Sequence, residues 1–283
     1  MRQQVLATVL RYGWQYPGRI AAAVRRDPAG LVDSLRNRFA RRAETGQTCR
    51  YETDADWEAR LHAQIGVEWP CAACDEFDLL WRSVVHAVKA NGIDVGPLSF
   101  AGYNDGDAAL VRAIWCLVRH GAPRHVVETG VGHGFTSRFI LEAMARNGFG
   151  HLWSIDLPPL DPVLRAKIGI AVDERLRHRW TLIAGSSQRH LPLLLDELGT
   201  IDMFVHDSLH TEANVRFELG AAWRKLRAGG AMVVDDIDTN WGFRNAARAL
   251  GDHESFICEA EPLRMDPRRF NKKGIFGILL KPS

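Results

Sequence analysis

From about residue 107 onward, short apolar runs alternate with helical stretches, and this alternation restricts the chain to one fold class. "DAALVRAIWCLVRHGA" reads as a helix ending near Gly121, and "HVVETG" as a short buried strand stopped by glycine. "FTSRFILEAMARNG" is a helix closed by a C-terminal glycine. The pattern then repeats: strand "LWSIDL", helix "VLRAKIGIAVDERLRH", strand "WTLIAG", helix "SQRHLPLLLDELG" with a serine N-cap candidate. Strand "IDMFVHD", helix "EANVRFELGAAWRKLRAGG" and strand "AMVVDDI" follow. Strands so apolar must be covered on both faces, which predicts a doubly wound, mostly parallel α/β sheet between helices. The rhythm breaks at the end, where "ESFICEA" and "GIFGILLKP" predict an antiparallel pair at the sheet edge.

The preceding part has another texture. Residues 1–95 read as an N-terminal helical extension, and 96–283 as the sheet domain. Val5, Val9 and Leu10 form one short apolar face, and Leu31, Leu35 and Phe39 another. Arg25, Arg26, Arg36, Arg38, Arg41 and Arg42 line the polar sides. The favoured reading is a pair of solvated helices; the competing one is a surface for an anionic substrate, a membrane or a partner subunit. Residues 43–56 read as a linker, and a further helical stretch spans about 55–92. Such an extension serves as lid, substrate element or homo-oligomer contact.

Several classes are excluded. Lys+Arg 36 against Asp+Glu 34 gives a net charge of +2, which is no nucleic-acid footprint. No run of about 18 apolar residues predicts a membrane span. The N-terminus lacks a long apolar core and cleavage site, so a cytoplasmic location is expected. Five scattered cysteines make no disulfide framework, and the Cys71/Cys74 pair reads as ordinary buried thiols in a helix.

Ligands of an open α/β sheet bind at the carboxyl ends of its strands. Those ends are Glu128-Thr-Gly130-Val-Gly132-His-Gly134, Asp156, Gly185-Ser186-Ser187, Asp207 and Asp235-Asp236. Gly130, Gly132 and Gly134 allow a sharp turn and close backbone approach. The spacing is GxGxG rather than GxGxxG, and Glu128 precedes it. That carboxylate would repel a pyrophosphate but suits an ammonium or sulfonium. Asp156 is placed to accept ribose hydroxyls.

At these residues the chain resembles the class I S-adenosylmethionine-dependent methyltransferases. "VVETGVGHGFTS", "SIDL" and the antiparallel ending carry the likeness over roughly residues 100–283. "IDMFVHDSLHTEANVRFELGAAWRKLRAGGAMVVDDI" is similar to the small-molecule O-methyltransferase branch of macrolide-sugar and cephalosporin-pathway type. The resemblance implies a Rossmann-like seven-stranded sheet and S-adenosylmethionine as cofactor. It implies that Glu128, Gly130 and Gly132 line the methionine part, that Asp156 holds the ribose, and that Ser186 or Ser187 lies near the adenine.

Asp207, Asp235 and Asp236 end two strands that are neighbours in such a sheet. Three converging carboxylates repel unless protonated or paired with a cation. Hard oxygen donors suit Mg²⁺, Mn²⁺ or Ca²⁺. A hydroxyl on that cation loses its proton more readily, and His210, one short turn after Asp207, is the expected general base. His206 alternates to the opposite face of its strand and is assigned to the fold. Asp238 is a fourth carboxylate or a cap, and Asp202 caps the strand entry. His133, Tyr103, Trp241 and Phe243 are expected wall residues. The expected activity is O-methylation of a hydroxylated small molecule such as a sugar or natural-product intermediate. The alternatives are a metal-independent transferase with a hydroxyl or amine acceptor, and a non-catalytic cofactor-binding protein.

Overall fold

The computed structural model describes residues 27–44, 47–100, 103–266 and 269–283. Val5, Val9, Leu10, Arg25 and Arg26 lie outside the described residues. Helix α1 spans Pro28–Ala43, α2 Trp57–Gln64 and α3 Ala72–Ala90. A hairpin of β1 (Gly96–Phe100) and β2 (Tyr103–Asp105) leads into α4 (Ala108–Gly121). The sheet domain continues as β3 (His125–Thr129), α5 (Phe135–Asn147), β4 (His151–Asp156), α6 (Pro162–Arg165) and β5 (Trp180–Ala184). It ends as α7 (Ser187–Leu198), β6 (Ile201–His206), α8 (Glu212–Lys225), β7 (Leu226–Val234), α9 (Gly242–Ala249), β8 (Glu254–Glu259) and β9 (Ile275–Leu280).

The seven-stranded sheet has the order β5-β4-β3-β6-β7-β9-β8. β3 pairs in parallel with β4 and β6, and β9 runs antiparallel to both β7 and β8. This is the predicted Rossmann-like sheet with its antiparallel ending. The C-terminal strand slots in beside β7, which leaves β8 outermost.

Strand alternation sends neighbouring side chains to opposite cores. Val126, Met203 and Val205 join Phe77, Trp115 and Phe139 of α3, α4 and α5 on one face. Val127 and Phe204 join Leu191, Leu195 and Leu219 of α7 and α8 on the other. Trp57, Leu61, Phe77 and Trp81 belong to the first of these cores, so α2 and α3 share it with the sheet. Among the described residues, no gap in the packing separates these helices from the sheet near residue 95.

Two local expectations fail. The stretch 163–178 is no continuous helix: α6 is one turn, and a 3₁₀ turn over Glu174–Arg179 follows an interruption at Gly169. Gly169 has φ +66° and sits against the Trp180 ring, where a side chain would collide. The cap candidate Ser187 is instead the first residue of α7, and Ser186 holds the N-cap position without a capping bond. The Ser186 hydroxyl donates to Asp33 on α1, at 2.7 Å.

Candidate active site

A cleft of about 690 Å³ opens at the carboxyl ends of the parallel strands. It lies where the strand order reverses between β3 and β6, the switch point of a doubly wound sheet. Gly130, Gly132, Asp156, Ser186 and Ser187 line it. Asp207, His210, Asp235 and Asp236 line it as well. Glu128, Gly134 and His133 stand behind this lining: Glu128 and His133 are each 1% exposed.

The glycine turn is fixed by close approach. Gly130 has φ +84°, and a Cβ there would lie 1.8 Å from the Asp207 carbonyl oxygen. The turn thus packs directly on the loop that carries Asp207. Asp156 Oδ2 accepts from the Val131 and Gly132 N–H groups at 2.7 and 3.3 Å. Burial raises the Asp156 carboxyl above its ordinary range, against the pull of those two hydrogen bonds. Glu128 Oε2 accepts from Ser137 and Ser154 hydroxyls, both at 2.6 Å, while its Oε1 is buried without a partner. Burial pushes Glu128 up to about 8, and the charges of Asp207 and Asp156 add to it.

Beside the glycine turn, one ligand atom each from Asp207, His210 and Asp235 lies within 4.8 Å of the others. His210 Nε2 is 3.5 Å from Asp207 Oδ1. Burial alone would lower the His210 ring, but the Asp207 bond and the charges of Asp236 and Asp207 outweigh it and raise it. Burial, with the charges of Asp236 and Asp207, drives Asp235 well above the carboxylate range. The carboxylates of Asp207 and Asp235, with the imidazole beside them, are oxygen donors that a divalent cation fits.

Asp236 departs from the expected metal set. Its residue has φ +53°, and its carboxylate forms an ion pair with Arg269, which also pairs with Asp238. Of the two strand-end acids, Asp235 is the one grouped with Asp207 and His210, while Asp236 is paired with Arg269. Asp238 does not cap α9, whose N-cap position is Trp241, and it shares the Arg269 guanidinium.

His206 is where alternation puts it, fully buried beneath the site. Its Nδ1 lies 2.6 Å from Glu218 Oε2. Glu218 also accepts from Thr129 Oγ1, Ser208 Oγ and Asn214 Nδ2. Burial would raise Glu218, but the His206 charge and these hydrogen bonds hold it at about 2. The His206 and His210 rings meet edge to face, 5.3 Å apart. The buried network thus fixes the floor on which His210 rests. Asp202 caps the strand entry as expected, accepting from the Arg124 and His125 N–H groups, both at 2.9 Å.

Three features escaped the sequence reading. The first is the strap formed by α1. Asp33, 4% exposed, accepts from Ser186 and Arg189, and Glu44 accepts from the Glu212 N–H at 2.6 Å. Between these anchors Ser34, Asn37, Arg38, Arg41 and Arg42 line the cleft, so α1 is a wall and not merely a solvated helix. The second is Asp107, which caps α4 and lines the cleft, with burial pushing it up to about 6. Its place before "AALVRAI" is a readable N-cap signal. The third is Arg269, whose partners lie about thirty residues away, beyond any local pattern. Phe243 packs under Tyr51 and Gly277, and Trp241 stacks with Arg244; neither lines the cleft. The Tyr103 side chain lies outside the described residues.

The sheet order and its strand-end cleft have the architecture of the class I methyltransferase fold. Residues 127–237 match the family model described as "Methyltransferase domain". Among solved structures, cofactor-bound Rv0187 from MTB is similar at TM-score 0.51 and 16% identity, over 71% of this chain and 91% of that one. The O-methyltransferase TomG from Streptomyces achromogenes, involved in tomaymycin synthesis and in complex with SAM, has TM-score 0.48 and 15% identity over 87% and 97% of the two chains. No curated protein matches the chain.

Proposed function

We propose that the protein transfers a methyl group from S-adenosylmethionine to a hydroxyl of a small acceptor, with a divalent cation held between Asp207 and Asp235. The carrying observation is the convergence of Asp207, His210 and Asp235 within 4.8 Å, in the same cleft as the glycine turn and Asp156. Bound there, S-adenosylmethionine supplies an electrophilic sulfonium methyl, and a cation supplies acidification of the acceptor hydroxyl.

The chain's own residues do the remaining work. Asp156, braced by the turn N–H groups, orients the ribose, and Ser186 and Ser187 border the adenine. Asp207 and Asp235 hold the acceptor end in line with the methyl, since a displacement needs its partners aligned and close. His210 takes the hydroxyl proton at Nε2, where Asp207 steadies the resulting imidazolium. α1 lines one wall of the cleft. Its Arg38, Arg41 and Arg42, with Arg264 and Lys273 opposite, favour an acceptor bearing negative charge.

A cation-free form of the same reaction has one observation in its favour. Arg269 already neutralises Asp236 and Asp238, which leaves two strand-end acids for an ion. His210 and Asp207 would then act alone as a base pair. Release of S-adenosylhomocysteine, measured with a hydroxylated acceptor, separates the two: EDTA should abolish it and Mg²⁺ or Mn²⁺ restore it. Full activity in EDTA rules out the cation. Failure of S-adenosylmethionine to bind by calorimetry rules out both forms.

A further inference from the structure

Away from the cleft, four side chains from three helices meet for no purpose that methyl transfer supplies. They are His62 at the end of α2, Cys71 and Cys74 at the start of α3, and Cys116 in the middle of α4. One ligand atom from each lies within 4.8 Å of all the others. Cys71 Sγ is 3.5 Å from Cys74 Sγ, which is 3.6 Å from Cys116 Sγ. All four residues are at most 9% exposed.

The histidine carries the argument beyond packed thiols. His62 Nδ1 lies 2.8 Å from the Glu58 carbonyl oxygen. A carbonyl only accepts, so Nδ1 bears the hydrogen and Nε2 presents a lone pair. That Nε2 is buried, and its neighbours are the thiols of the cluster, Cys74 among them. A buried imidazole lone pair turned toward three thiols is a ready donor to a cation in the cluster. A backbone carbonyl on one ring nitrogen with the other turned to a metal is the usual support of a ligating histidine.

We infer that His62, Cys71, Cys74 and Cys116 form a structural zinc site. Zn–S bonds of about 2.3 Å at tetrahedral angles place sulfurs about 3.8 Å apart, close to the spacings found here. Three sulfurs and one imidazole are a soft set that selects zinc over magnesium or calcium. Four protein ligands leave no open position, so the role is cohesion, not catalysis. On binding, three S–H bonds break, three Zn–S bonds form and three protons pass to solvent, with no change of oxidation state. His120 Nε2, 3.2 Å from Cys71 Sγ, is placed to donate to the resulting thiolate.

The site would pin α2 and α3 to α4. The N-terminal turn of that same α4 brings Asp107 and Leu110 to the cleft, so the pin also steadies one wall of the active site. This inference does not depend on the proposed acceptor or on the cation at Asp207.

The test is elemental analysis of the full chain purified under reducing conditions without chelator. About one zinc per chain is expected, with Cys74→Ser and Cys116→Ser lowering it at least tenfold. Cys258→Ser, a buried cysteine outside the cluster, keeps it. Should the variants fail to fold, the wild type decides alone. Replacing its metal with Co²⁺ should give thiolate-to-cobalt charge-transfer absorption, and added Mg²⁺ should not displace it. Folded, reduced wild-type protein holding less than about a tenth of an equivalent of any transition metal, without that absorption, overturns the inference. So does a Cys71–Cys74 disulfide found by mass spectrometry after alkylation of the native chain.

Discussion

Glu128→Gln should stabilise the protein, and increasingly so as pH rises. The Glu128 carboxyl is 1% exposed, and burial moves it from 4.5 to about 8. The sign follows from which form the fold prefers. The protonated acid is favoured, so its contribution is fully present below pH 4.5 and is lost as pH rises through about 8. Each pH unit in that window is worth about 1.4 kcal/mol, so at pH 7 the fold loses about 3 kcal/mol to this one acid, and at pH 5 about 1 kcal/mol. Glutamine has nearly the same shape, its amide oxygen can accept from Ser137 and Ser154, and it has no proton to lose. All other titrating groups cancel between the two proteins. Urea unfolding of both at pH 5, 6, 7 and 8 measures the gap, and at pH 7 the variant should melt about 6–12 °C higher. A gap that is the same at pH 5 and pH 8 refutes the reasoning. The cost makes sense at a ligand site: a sulfonium or ammonium near the turn would favour the carboxylate. S-adenosylmethionine should therefore raise the melting temperature of the wild type more than that of the variant.

His210→Ala should lower kcat about 10²-fold or more while cofactor affinity stays within a factor of a few, and full activity would remove the base assignment. Because Asp207 and Asp236 raise the His210 ring above its ordinary value, the wild-type rate should fall as pH drops below a midpoint higher than about 6.5. An acid limb at or below that value contradicts the environment described. Asp156→Ala should weaken S-adenosylmethionine binding by about 1.5–3 kcal/mol in calorimetry, and unchanged affinity would move the cofactor elsewhere.

The sheet was legible because its signals are local. Apolar strands stopped by glycine or acid repeat at short intervals, and each needs only its own few residues to be read. The strand ends were legible too, since topology alone brings Gly130, Asp156, Asp207 and Asp235 to one edge. The separation of His206 from His210 followed from strand alternation, with one imidazole inside the fold and the other at the cleft. What failed were inferences about partners. Asp236 looked equivalent to Asp235 until Arg269, far along the chain, drew it aside. The Arg-rich helix looked like a solvated face until Asp33 and Glu44 tied it across the cleft.

The cysteines show the same limit most clearly. Cys71 and Cys74 announce themselves as neighbours on one helical turn, but a pair alone is ordinary. His62 and Cys116 come to them only when α2, α3 and α4 pack about Phe77 and Trp115. By itself the sequence determined the order of strands and helices, the glycine turn and the acids at the strand ends, because propensity, periodicity and chirality act over short stretches. Only the tertiary structure decided which charges are paired, which helix lines the cleft and which thiols meet. Those outcomes depend on distances between segments far apart in the chain, and close packing sets them.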